Sequence, residues 1–164
     1  MFVRKLITLL AFSLIGQDLL GQSTTEDPAV MKPIHLLFEG MNKTDSAMVS
    51  KAFMPESTFV VISNAADGNP KLIKNNLKQF LISMGTPRKE VYSEPIWDVK
   101  IDIDGNMAQV WAKYAFYIGK QLHHCGVDTF QLLKTKDGWR IFHLAYTRQE
   151  KGCVIPQDIL DQYK

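Results

Sequence analysis

Residues 101–110 have the sequence IDIDGNMAQV, in which apolar and polar side chains alternate on both sides of Asp104-Gly105. Alternation with a period of two is typical of a strand that buries one face, and Asp-Gly between two such runs predicts a hairpin. Asp137-Gly138 lies between two further alternating runs. The second half of the chain is therefore predicted to form an antiparallel sheet. Its predicted strands span residues 91–103, 107–119, 124–135 and 139–148.

Short helices are predicted ahead of this sheet. Asp27-Pro28 has the form of an N-cap followed by proline at the first helical position, and apolar side chains then recur at helical spacing as far as Met41. Pro33 predicts that this helix either starts late or kinks. The other predicted elements are a helix from Thr44-Asp45 to just before Pro55, a β-rich run over 57–63, and a helix over 72–84 that ends at Gly85.

The composition fits one globular domain. The chain has 164 residues, of which 46% are hydrophobic and 22% charged, enough for one core and too short for two ordinary domains. Nineteen basic residues against 17 acidic ones give a net charge of +2. This lacks the concentrated basic excess that binds nucleic acid, so a nucleic-acid partner is not expected.

Residues 1–22 have the order of a secretory signal peptide. Two positive charges precede an apolar run over residues 6–16, and polar residues follow. Because this run is too short to cross a bilayer of about 30 Å as a helix, we expect cleavage near Gln22 and no stable membrane anchor. The alternative is an ordinary N-terminal amphipathic helix. The prediction is a secreted or periplasmic protein with one domain over residues 23–164.

Two cysteines remain after the leader. Pairing around Asp137-Gly138 places Cys125 opposite Glu150, three residues before Cys153. A disulfide is therefore predicted for an exported chain, and the alternative is two free buried thiols. His123-His124-Cys125 also resembles a set of metal ligands. Adjacent strand residues point to opposite faces, so no metal site is expected.

Short helices followed by a long curled sheet resemble the nuclear transport factor 2-like superfamily, which includes ketosteroid isomerases and SnoaL-like polyketide cyclases. The resemblance covers about residues 27–150 and is closest to the "putative lumazine-binding" branch of small bacterial proteins, whose members end in a similar Gly-Trp-Lys/Arg-Ile strand. The residues that carry it are Ala29-Val30, Leu37-Phe38-Glu39-Gly40, Thr44-Asp45, Ala52-Phe53, the run 101–110, the run 128–134 and the run 137–141.

The resemblance implies a cone-shaped α+β fold in which three N-terminal helices pack in a strongly curved antiparallel sheet. It also implies a pocket between the helices and the concave face of the sheet. It does not carry over the isomerase mechanism, which uses a carboxylate base with a tyrosine and a second carboxyl group. The first helix offers His35 and no tyrosine, and the strand acids Asp98 and Asp102 fall on the polar face.

Aromatic side chains are the candidate ligand contacts. Pairing around Asp104-Gly105 places Trp97, Tyr114 and Phe116 on the inward face, where they either pack the core or line a pocket for a small apolar or aromatic ligand. Tyr146 and His35 complete the predicted ligand-binding set.

His143 is the candidate for acid–base chemistry, because an imidazole can donate or accept a proton near neutral pH. The predicted pairing puts Asp128 on the same face as His143 and puts Tyr146 on the other. The alternative is an ordinary histidine at the sheet surface. The sequence contains no His-Glu-x-x-His, glycine-rich phosphate loop or Gly-x-Ser-x-Gly motif, so no cofactor is expected.

Three functions are compatible with these observations. The leading hypothesis is an exported domain that binds a small ligand in its cone, with no established catalysis, and that dimerises through the outer face of the sheet. The second is an isomerase, dehydratase or cyclase that uses His143 with Asp128. The third is a protein-interaction module whose docking surface contains Trp111, Tyr117 and Phe130.

Overall fold

The structure, a computed structural model, describes residues 27–65 and 67–164. The predicted leader over residues 1–22 lies outside the described residues. The helices are α1 (Pro28–Lys43), α2 (Ser46–Ala52), α3 (Leu77–Gly85) and α4 (Gln157–Gln162). The strands are β1 (Phe53–Asn64), β2 (Pro70–Asn76), β3 (Tyr92–Ser93), β4 (Ile96–Asp104), β5 (Met107–Ile118), β6 (Gln121–Thr135) and β7 (Gly138–Thr147). None of the helices in this part of the chain is both long and apolar enough to span a membrane.

The strands form one curved, open sheet, which confirms the predicted α+β fold class. The order is β2-β1-β7-β6-β5-β3, and β4 also pairs with β5. Every pairing is antiparallel except that of β1 with β7, which is parallel. The predicted antiparallel sheet is thus mixed, because a strand from the first half of the chain joins the edge of the C-terminal hairpin.

Helix α1 forms where its capping signals predict. The Asp27 carboxylate accepts hydrogen bonds from the backbone N–H groups of Ala29 at 2.8 Å and Val30 at 3.3 Å, which are free at a helix start. The helix contains Pro33, so the predicted late start is wrong. Its apolar stripe, including Ile34 and Leu37, packs into the core against the inner face of the sheet.

The predicted helix over 72–84 is wrong in its first half. Residues Pro70–Asn76 form strand β2, which pairs with β1 along its whole length, and only Leu77–Gly85 is helical. The helix begins at Leu77 because the Asn76 side chain accepts a hydrogen bond from the Gln79 N–H at 3.0 Å. Helix α4, near the end of the chain, was also not predicted.

Both hairpins turn at a different place from the predicted one. The first turns at Gly105-Asn106, with Asp104 opposite Met107, and the second at Lys136-Asp137, with Thr135 opposite Gly138. Each predicted turn is displaced by one residue. When a turn is displaced by one residue, the partner of each strand residue shifts by two positions. Because side chains alternate with a period of two, this shift alone leaves every residue on its predicted face.

Three β-bulges do change which side chains face inward. One lies between Trp97 and Lys100 in β4, one beside Ile141 and His143 in β7, and one at His123 in β6. Each inserts an unpaired residue, so alternation is reversed beyond it. The bulges therefore determine which of the candidate residues reach the concave face.

Candidate functional site: a cavity with a buried carboxyl pair

A cavity of about 120 Å³ lies between the helices and the concave face of the sheet. It is close in size to an engineered protein cavity of about 150 Å³ that binds benzene. Its apolar walls are Leu37 and Met41 from α1, Phe80 and Met84 from α3, and Phe116, Phe130 and Leu144 from the sheet. Its polar lining residues are Glu94, Tyr114, His124, Asp128 and Tyr146.

Two carboxyl groups meet in this apolar cavity. Asp128 projects from the inner face of β6 and is 3% exposed. Glu94 is half-buried in the break between β3 and β4, just before Pro95. Proline has no N–H to donate to the neighbouring strand, so it interrupts the ladder there. The Glu94 carboxyl group lines the cavity from this break, close enough to that of Asp128 to raise its pKa.

The surroundings keep this pair partly protonated. Burial raises the pKa of Glu94 to about 7. Burial, reinforced by the adjacent Glu94 charge, raises the pKa of Asp128 well above its usual range. The two groups therefore share a proton near neutral pH. Among the described residues, Asp128 Oδ2 is buried and has no hydrogen-bond partner.

The other polar groups of the cavity remain uncharged near pH 7. Burial raises the pKa of both Tyr114 and Tyr146 above the ordinary tyrosine value. The Tyr114 hydroxyl donates to the Thr147 carbonyl oxygen at 2.7 Å. Burial, with smaller effects from Arg148 and His123, lowers the pKa of His124 to about 4. The carboxyl pair is thus the site at which charge can change at neutral pH.

His123 and His124 are closer together than strand alternation predicts. The bulge at His123 leaves that residue without a partner opposite, and the two Nδ1 atoms lie 2.8 Å apart. The geometric reason for expecting no metal here was therefore wrong. Even so, within residues 27–65 and 67–164 no three His, Cys, Asp or Glu side chains converge as a set of metal ligands.

Four of the predicted ligand-binding and catalytic residues line the cavity, namely Tyr114, Phe116, Asp128 and Tyr146. Tyr146 lies opposite Asp128. The bulge in β7 brings Tyr146 and Asp128 onto one face, whereas the predicted partner of Tyr146 was Thr129.

His143 does not join Asp128, so the predicted catalytic pair is wrong. His143 lies opposite Gln131 on the other face of the sheet, because the bulge in β7 reverses the alternation that would have placed it inward. Its Nδ1 lies 2.6 Å from the Thr58 hydroxyl of β1. The histidine that lines the cavity is His124, on the preceding strand.

Trp97 and His35 also lie outside the cavity. The bulge at Asp98 places Trp97 opposite Lys113 on the outer face, where it borders a separate surface pocket with Cys125. His35 is exposed on α1. Both predictions of ligand contact are therefore wrong for this cavity.

The proposed docking surface of Trp111, Tyr117 and Phe130 is not formed. Phe130 is fully buried and lines the cavity. Tyr117 is 2% exposed because Tyr163, just after α4, stacks on it with 3.7 Å between ring centroids. The homodimer through the outer face of the sheet stays a prediction that light scattering would test.

Cys125 and Cys153 form a disulfide, with 5.9 Å between their Cα atoms. Cys125 lies opposite Gln149 rather than Glu150, a one-residue difference that follows from the displaced turn and the bulge in β7 together. The bond ties the segment that leads to α4 to the first half of β6.

Two polar residues of the cavity, His124 and Glu94, are absent from the predicted ligand-binding and catalytic residues. Glu94 falls inside the predicted continuous strand over 91–103, in which an acidic side chain has no special position. The available signal was Pro95, which is rarely tolerated within a central strand and marks a break there.

The fold has many relatives among solved structures, and the sequence identities of three of them lie between 12% and 20%. A nuclear transport factor 2-like protein of unknown function from Shewanella baltica is 20% identical, with a TM-score of 0.55 over 78% of this chain and 99% of that one. A "putative dehydratase" of the same family from Streptomyces avermitilis is 16% identical, with a TM-score of 0.55 over 76% and 99%. The β subunit of a "putative aromatic-ring-hydroxylating dioxygenase" from Novosphingobium aromaticivorans is 12% identical, with a TM-score of 0.61 over 77% and 90%.

These likenesses show the fold and leave the reaction open. No curated protein matches the chain. A family model described as "Putative lumazine-binding" matches residues 25–147, which include both carboxyl groups of the cavity. The chain therefore belongs to the "putative lumazine-binding" family, and it shares its fold with nuclear transport factor 2-like proteins of known structure.

Proposed function

We propose that this chain is an exported domain whose cavity binds a small, partly apolar molecule with an adjacent hydrogen-bond donor and acceptor. The observation that carries the proposal is the Glu94–Asp128 pair in an otherwise apolar, aromatic-walled cavity. A buried polar atom without a partner costs free energy, so such atoms are rare unless they serve a purpose. Asp128 Oδ2 is one of them.

The chemistry of the pair suggests the ligand class. A carboxyl pair that shares one proton offers a donor and an acceptor side by side, which complements an amide, a lactam or an enol. Phe116, Phe130 and Tyr146 supply apolar surface around a single ring. Export is supported by the order of residues 1–22 and by the disulfide, a bond that persists in oxidising compartments.

Benzamide tests this proposal, because it combines one ring with an amide edge. At tenfold its dissociation constant, it is expected to raise the free energy of unfolding by about 1.4 kcal/mol. Ethylbenzene, which has no polar atom, should bind more weakly. Thermal unfolding followed by circular dichroism measures both shifts.

Two substitutions locate the binding. Leu144→Phe enlarges a side chain that lines the cavity and should abolish the benzamide shift, whereas Trp97→Phe, on the outer face, should leave it unchanged. If Leu144→Phe does not fold, Met84→Phe fills the same cavity from α3. Equal shifts in all folded variants would place the binding elsewhere and refute the proposal.

A second candidate function is acid–base catalysis of the isomerase or dehydratase type. It is favoured by the shared proton, since one carboxyl group can donate while the other accepts. In this candidate function, Glu94 has the acid–base role that was predicted for His143. We expect the wild type to accelerate deuterium exchange at the methyl group of acetophenone in D₂O, measured by NMR, and Glu94→Gln to lose this acceleration. Exchange at the buffer rate in both proteins would leave ligand binding without catalysis.

A further inference from the structure

The concave face of the sheet continues beyond the cavity as an open groove of about 900 Å³. Tyr146 lines both spaces and forms the boundary between them. On the groove side, the walls include Val61 and Ser63 of β1 and Asn75 of β2. The cavity and this wider, more polar groove are therefore adjacent, with one side chain between them.

A positively charged side chain, Arg148, lies directly beyond Tyr146 in the groove. Arg148 follows β7, and its backbone N–H donates to the Ile62 carbonyl oxygen at 2.8 Å, so the strand pairing continues to this residue. Residues two apart on a strand share a face and lie about 7 Å apart. Arg148 thus lies in the groove one side chain beyond Tyr146. Its charge also contributes to the low pKa of His124 in the cavity wall.

Arg148 is paired with an exposed carboxylate, so it remains able to bind a ligand. Its guanidinium contacts the Glu150 carboxylate at 3.1 Å, and the Glu150 side chain is 68% exposed. Exposed ion pairs of this kind contribute little to stability, so they exchange readily for a better partner. Lys151 adds a second positive charge to the same groove.

We propose that the groove receives an oxyanion, a carboxylate or a phosphate, carried by the same ligand whose uncharged end lies in the cavity, and that Arg148 recognises it. This inference rests on the proposed function and adds a charged group to the ligand class. The planar guanidinium matches a carboxylate or phosphate through two parallel hydrogen bonds. The uncharged Tyr146 side chain separates this anion from the acidic pair of the cavity.

The test uses benzamides that carry a para-alkyl carboxylate of two to four methylene groups, each compared with the matching neutral alcohol. Isothermal titration calorimetry of the full mature chain measures both affinities. In the wild type, the best carboxylate should bind about tenfold more tightly than its alcohol, and the preference should fall with added salt. A phosphonate of the same length tests whether the groove favours carboxylate or phosphate-like groups.

Arg148→Gln should abolish the preference, so that each carboxylate binds no more tightly than its matching alcohol. Arg140→Gln removes the same charge from another position on β7, outside both the cavity and the groove, and should leave the preference intact. Glu150→Gln should increase it, because it removes the carboxylate that competes for Arg148.

The outcomes separate this inference from the proposed function. Binding of the alcohols with no added affinity for the acids overturns the groove proposal alone, as does a preference that survives Arg148→Gln. Absence of binding by both series, and by benzamide itself, overturns the proposed function and the groove proposal with it.

Discussion

Asp128→Asn is expected to exceed the wild type in free energy of unfolding by about 2 kcal/mol at pH 8, and this advantage should largely disappear at pH 5. The reason lies in the cavity, where burial in apolar surroundings raises the pKa of both carboxyl groups and so opposes their ionisation at alkaline pH. An asparagine side chain has nearly the same shape, carries no charge and can donate a hydrogen bond to Glu94.

The direction of this pH dependence follows from the raised pKa values of the two carboxyl groups. For Glu94 the pKa rises from 4.5 to about 7 on folding, and for Asp128 it also rises. At pH values between the unfolded-state and folded-state pKa of each group, the folded state binds more protons than the unfolded state. The stability of the folded state therefore falls as pH increases. For Glu94 this stabilisation is fully present below about pH 4.5 and is lost as pH rises through about 7, in both proteins, because its main cause is burial. The variant lacks the further loss that comes from Asp128.

Urea unfolding at pH 5, 6, 7 and 8 measures the difference between the two proteins. His124, whose pKa is lowered to about 4, destabilises the folded state as pH falls below about 6.5, but it does so equally in both proteins and cancels. Asp102→Asn removes a carboxylate from an exposed position on β4 and serves as the control. A pH-independent difference for Asp128→Asn would mean that the pair does not share a proton.

The fold was predictable because its signals are local and repeated. The cap at Asp27, the alternation on both sides of the two Asp-Gly sites and the lengths of the strands all point to helices packed against a curved antiparallel hairpin sheet. Strand β2 was not predicted, because its residues are exposed on both faces and thus lack alternation. It is a strand because β1 supplies its hydrogen-bond partners, and that contact is not visible in the sequence of β2.

The site was harder to predict because three single-residue bulges decide its composition. The bulge in β7 removed His143 from the inner face, the one in β4 removed Trp97, and the one in β6 brought His124 beside His123. A bulge changes the face of every residue beyond it. Glycine or proline marks none of these three positions, so a strictly alternating pattern assigns the wrong faces.

Loss of the disulfide is expected to have the largest effect on stability. Cys125→Ala/Cys153→Ser should lower the free energy of unfolding by about 3 kcal/mol, because the unfolded chain is no longer constrained by a closed loop. The two cysteines are 28 residues apart in sequence, and Cys125 is 4% exposed. Replacing both avoids leaving a free thiol that could link two chains.

Reduction of the wild type provides the matched comparison. A reducing agent should lower wild-type stability by nearly the same amount and leave the double variant unchanged, as measured by urea unfolding. The variant should also exchange the amide hydrogens of α4 faster, because the helix is otherwise held by the burial of Ile159 and by Tyr163 stacked on Tyr117. If stability falls by less than about 1 kcal/mol and α4 stays protected, these two contacts hold the tail without help from the disulfide.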